Sequence, residues 1–111
     1  MREVNLNFEV LCQRPIWATL GSFKEKFSKS RYRVYVNNDL ITERDWNWDN
    51  SIFLLESVWI NGERDTNYTL RLDPVVHIPE QANFSINNFK VTNLEADSTK
   101  IDDLQVNFIL R

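Results

Sequence analysis

The densest collection of groups able to do chemistry runs from Asp45 to Glu56 and reads Asp-Trp-Asn-Trp-Asp-Asn-Ser-Ile-Phe-Leu-Leu-Glu. Oxygen-bearing Asp45, Asn47 and Asp49 take the first, third and fifth places, with apolar Ile52 at the eighth and Glu56 at the twelfth. That is the spacing by which a helix-flanked calcium loop wraps a hard cation in oxygen ligands. The match has defects. Asn50 stands where such a loop needs glycine for its sharp turn, the flanks are strand-like and aromatic, and no second loop occurs to pair with it. These departures weigh against an ion and favour a strand edge with solvated carboxylates, so no metal or other cofactor is expected.

The same stretch carries a tryptophan pair. Trp46 and Trp48 are two residues apart and share a face if the segment is extended, with Tyr35 as a cross-strand neighbour and Arg44, Asp45 and Asp49 at the border. Three readings stay open. A flat aromatic platform edged by carboxylates and amides suits stacking on the apolar face of a sugar ring. Tryptophan is also a common anchor of protein interfaces, and either ring could instead belong to the core.

Enzymatic constellations are sparse. His77 is the single histidine, which excludes two-histidine metal sites, and it stands between Val76 and Ile78 as an ordinary strand residue would. There is no Gly-rich phosphate loop, nucleophile elbow or cysteine cluster. Cys12 is the lone cysteine and follows Val10 and Leu11, which points to a buried thiol and a reducing compartment. A non-enzymatic protein is expected.

The elements that must position these residues are strands. Val4, Leu6, Phe8 and Val10 alternate with Glu3, Asn5, Asn7 and Glu9, the pattern of a strand with one buried face. Tyr32, Val34 and Val36 do the same, and Asn37-Asn38-Asp39 supplies residues that tolerate the positive φ of a hairpin turn. From Ile52 to Ile60 apolar residues fill both faces, which predicts a strand at the centre of a sandwich or beneath a partner chain. Asn61-Gly62 reads as a turn, Tyr68, Leu70 and Leu72 as a returning strand closed by Asp73-Pro74, and Val75 to Ile78 as a short edge segment. Pro15 interrupts the ladder after the first strand, and Phe23 to Ser30 allows either a helical turn or a loop. Phe84 to Val91 gives two short strands or one bulged at Asn87-Asn88, Leu94 to Asp103 a polar surface loop, and Leu104 to Leu110 a final strand close to the first. About eight short strands in 111 residues argue for a single all-β domain, a two-sheet antiparallel β-sandwich that is jelly-roll-like or immunoglobulin-like.

Composition agrees. Seven Phe, four Trp and three Tyr favour pleated, half-buried surfaces, and thirteen Asn against two Gly imply turns built on asparagine. The start of the sequence lacks the apolar run of a signal peptide, and no stretch approaches the roughly 20 apolar residues of a membrane span, so synthesis in the cytoplasm without a membrane partner is expected. The net charge of −3 is unevenly spread. Six basic residues and one acid lie between Arg14 and Arg33, while seven acids and two arginines lie between Asp39 and Asp65. An acidic total argues against nucleic acid and for registered contacts between protein copies, which salt would weaken.

Tyr-Arg-Val-Tyr-Val-Asn-Asn-Asp-Leu-Ile-Thr-Glu-Arg, from Tyr32 to Arg44, together with the short, Asn-rich, glycine-poor chain, resembles small β-sandwich virion proteins of tailed bacteriophages, such as head-decoration (capsid decoration), neck or tail accessory subunits. The likeness covers about a third of the sequence and carries over no functional residue. It implies a structural protein of the virion whose partners are other subunits or further copies of itself. On that reading Tyr35, Arg44, Trp46 and Trp48 are interface residues, and removing both tryptophans would spare the fold while abolishing assembly. The alternative is a carbohydrate-binding module that uses the Trp46/Trp48 platform.

Overall fold

The computed structural model describes residues 2–13, 30–46, 53–75 and 83–111. The expectations placed on Pro15, Phe23 to Lys29, Asn47, Trp48, Asp49, Asn50, Ile52 and His77 lie outside them. Eight strands make up the described residues: β1 (Arg2–Gln13), β2 (Ser30–Val36), β3 (Asp39–Trp46), β4 (Phe53–Gly62), β5 (Asn67–Val75), β6 (Asn83–Val91), β7 (Ala96–Asp102) and β8 (Gln105–Leu110). They form a three-stranded sheet in the order β4-β1-β6 and a five-stranded sheet in the order β3-β2-β5-β8-β7, with every pairing antiparallel. The two sheets face each other across one apolar core, so the all-β sandwich expected from the alternation is the fold.

Period-2 patterning explains how the sheets close. Val4, Leu6, Phe8, Val10 and Cys12 of β1 are buried, as are Tyr32, Val34 and Val36 of β2. Leu70, Leu72, Phe84, Ile86, Val106, Phe108 and Leu110 complete the facing layers. A two-residue turn at Asn37-Asn38 joins β2 to β3, with Asn37 at φ 56° and its side-chain oxygen accepting the Thr69 N–H at 3.0 Å. Asparagine takes positive φ at modest cost, so it does here what glycine does elsewhere. Of the two readings of Phe84 to Val91, the single bulged strand holds: β6 shifts register against β1 between Asn7 and Glu9, with Asn88 at φ 52°.

Four expectations are corrected. The strand from Ile52 to Ile60 is not the innermost piece, because β4 lies at the edge of the three-stranded sheet. Asn61-Gly62 is not a turn: β4 runs through Gly62, and the reversal falls at Arg64-Asp65, with Asp65 at φ 59°. A Cβ at Gly62 would lie 2.6 Å from Leu110 Cδ1 and 3.1 Å from Val4 Cγ2, so this glycine serves close packing. Pro74 does not close β5, which continues to Val75; its pairing with β8 runs only from Asn67 to Arg71, so Pro74 needs no donor on that side. Leu94 to Asp103 is not a loop but mostly β7, a largely polar strand exposed on both faces because it is a sheet edge among the described residues. The first and last strands sit in different sheets and are not paired.

Candidate interaction surface

The residues expected to form one site are distributed over three places. Tyr35 lies on the outer face of the five-stranded sheet, where the Arg71 guanidinium sits 4.4 Å from its ring centroid. Beside it, Arg31 pairs with Glu43 at 2.8 Å and with Asp45 at 3.1 Å, and Arg33 pairs with Glu43 at 2.9 Å. Hydrogen bonding to Arg33 holds the Glu43 carboxyl below its ordinary range and raises the Arg33 guanidinium in turn. The described part of the basic stretch therefore meets the acidic stretch within the same sheet, because the β2–β3 hairpin lays Arg31 opposite Asp45 and Arg33 opposite Glu43. For these residues the charge asymmetry of the sequence is neutralised internally.

Arg44 turns the other way. It leaves β3 toward the opposite sheet, where its Nε donates to Glu56 Oε1 at 2.5 Å and its second nitrogen reaches Oε2 at 3.4 Å. The Tyr32 hydroxyl donates to the same Oε1. Glu56 is 2% exposed and occupies an inward position of β4 that the alternation would fill with an apolar side chain. Two donors satisfy the carboxylate, and the trio ties β2 and β3 to β4 across the flank of the sandwich. Burial, then the hydrogen bond to Glu56, pushes the Tyr32 phenol well above its ordinary value. The hydrogen bond to Glu56 raises the Arg44 guanidinium.

Trp46 is 0% exposed and is a core residue. Its ring meets Phe84 edge-on at 6.0 Å, and Phe84 meets Tyr32 at 5.7 Å, an aromatic cluster closing one end of the core. It offers no face to a sugar or a partner, so of the three open readings the core one holds for Trp46, while Trp48 lies outside the described residues. β3 sends the Trp46 side chain inward, in register with Tyr32 and Val34, so its loss is not expected to spare the fold. The calcium arrangement is also not assembled among the described residues. Asp45 points outward to Arg31 while Glu56 points inward to Arg44, and no described cluster of His, Cys, Asp and Glu could hold a metal.

A surface the sequence indicated only indirectly lies on β4. Its outward residues are Phe53, Leu55, Ser57, Trp59 and Asn61, with Phe53 50%, Leu55 70% and Trp59 58% exposed. None carries a charge, since Glu56, the one ionisable residue of the strand, faces the core. Next to this apolar stripe, β1 presents a polar ladder: Asn5 Nδ2 donates to Ser57 Oγ at 3.0 Å, and Asn5 Oδ1 accepts from Asn7 Nδ2 at 2.5 Å and from Thr92 Oγ1 at 2.6 Å. The signal for the stripe was the strand's apolar character on both faces, which has two explanations, a central position or an exposed interface. At the far end of β4, Trp59 and Asn61 border a groove of about 320 Å³ with Asp39, Ile41 and Tyr68. No protein-family model, curated protein or solved structure matches this chain.

Proposed function

We propose that this chain is a non-enzymatic structural subunit of a repeated protein assembly, of the kind implied by its resemblance to small virion proteins of tailed bacteriophages, and that it docks through the outer face of β4. The observation that carries the reading is the stripe of Phe53, Leu55 and Trp59, large apolar side chains held in water by an otherwise well-ordered alternation. Single exposed apolar residues are ordinary, whereas a contiguous uncharged stripe with a tryptophan is the composition of an interface centre. Leu55→Lys is expected to leave the fold intact and reduce the mass measured by light scattering to that of a monomer. Ile101→Lys, a matched change at an exposed residue of β7, is expected to leave association unaltered. Equal loss in both variants, or a wild type that does not associate, would count against the docking face.

The groove beside Trp59 supports a second reading, a glycan site in which the indole stacks on a sugar while Asp39 and Asn61 meet its hydroxyls. It predicts saturable quenching of tryptophan fluorescence by glycans that Trp59→Ala removes.

A further inference from the structure

Among the described residues the sandwich has four edge strands, and three are built in ways that discourage pairing. β3 shifts register between Val34 and Tyr35 of its partner and carries Asp39, Glu43, Arg44 and Asp45. β6 is bulged, with Asn88 at positive φ, and carries Lys90. β7 shifts register between Lys100 and Asp102 and carries Asp97, Lys100 and Asp102. Bulges and charges are the devices by which natural sheets protect their edges. β4 has neither. It pairs with β1 over ten consecutive residues without a shift, contains no proline or lysine, and faces water with an uncharged row.

Resting on the reading of β4 as a docking face, we infer that its partner is β4 of a second copy, added antiparallel about a two-fold axis at Ser57 to give a continuous six-stranded sheet. The side-chain pattern selects this register. With Ser57 opposite Ser57, Leu55 lies across from Trp59 of the other copy, twice by symmetry, and Phe53 across from Asn61; inside, Glu56 meets Val58 and Leu54 meets Ile60. Sliding one strand by two residues, which moves the axis by one to set Glu56 opposite Glu56, would place two inward carboxylates against each other about 5 Å apart, which like charges oppose. The register at Ser57 separates the carboxylates, keeps both Glu56–Arg44 pairs inside their own sandwiches and uses nearly the whole length of β4. A heterologous partner has no need of this symmetry, and a two-fold closes the assembly without leaving β4 open to fibre growth.

The test is oxidative crosslinking of Ser57→Cys and, separately, Leu55→Cys, read with light-scattering mass over a concentration series for wild type and Leu55→Lys, each variant checked by circular dichroism. The expected result is a concentration-dependent wild-type dimer, a Leu55→Lys monomer, and a covalent dimer from Ser57→Cys. Leu55→Cys should not crosslink, because its two copies are offset by four residues, about 13 Å along the strands. A dimer that Leu55→Lys dissolves but Ser57→Cys does not trap would overturn the strand pairing and leave the docking face standing. A dimer indifferent to Leu55→Lys would overturn both. A wild type that remains monomeric at every concentration sinks the self-pairing and removes the support for the docking face as well.

Discussion

Glu56 illustrates how one residue decides between chemistry and architecture. Its place twelve residues into an oxygen-rich loop suggested a calcium ligand, but the alternation of β4 turns it inward, where Arg44 and Tyr32 donate to it. A nearly inaccessible carboxylate needs these donors. The phenol it engages has an ordinary value of 10.0 and is raised above that in the fold. Between those two values the unfolded chain releases a proton that the folded chain keeps, so the contribution is present below the ordinary value and is lost as pH rises above it. Tyr32→Phe should therefore flatten the alkaline fall in stability seen in urea melts across pH, while costing about 1–2 kcal/mol at neutral pH by leaving Glu56 a donor short. A steep alkaline limb unchanged in the variant would contradict this. Trp46→Ala, by emptying the space beside Phe84, should destabilise by about 3–5 kcal/mol in the same melts.

At the scale of elements, β1, β2, β6 and β8 were legible because each has one face on the core, which makes composition and position the same signal. β7 was not, since an edge strand wetted on both faces has no alternation to read, and its existence depends on the ladder offered by β8. Asn61-Gly62 misled for a different reason: the glycine is there for the approach of Leu110 and Val4, a requirement made by residues distant in sequence. Gly62→Ala should accordingly cost about 1 kcal/mol or more through displacement of Leu110, checked by denaturant midpoint, whereas a turn glycine free of neighbours would tolerate alanine if its φ were negative. β4 itself reads as a strand but not as an edge one, because an apolar row on both faces does not tell a central strand from an edge strand whose outer row is exposed.

For the whole molecule, the arrangement of charge changes what association should look like. A basic half meeting an acidic half of another copy would be weakened by salt. In the fold, Arg31 and Arg33 are already matched to Glu43 and Asp45 within one sheet, and the outer row of β4 is uncharged. Association through β4 should thus be insensitive to moderate sodium chloride and strengthened by sulfate, which favours apolar burial. Sedimentation across a salt series checks this, and a dimer that dissociates as sodium chloride rises would point instead to charged surface.

What the sequence determined by itself was the class of structure, since period-2 alternation, aromatic and β-branched content and asparagine turns are local properties that act on the chain wherever it lies. It also held the apolar excess of β4, without saying what that excess meets. Tertiary structure alone decided which sheet each strand joins, that Trp46 is core, that Glu56 is matched by Arg44 and Tyr32, and that Tyr35 and Arg44 face opposite ways. Each of these depends on contacts between residues far apart in sequence, and a residue's own type does not specify the partner that the fold brings to it.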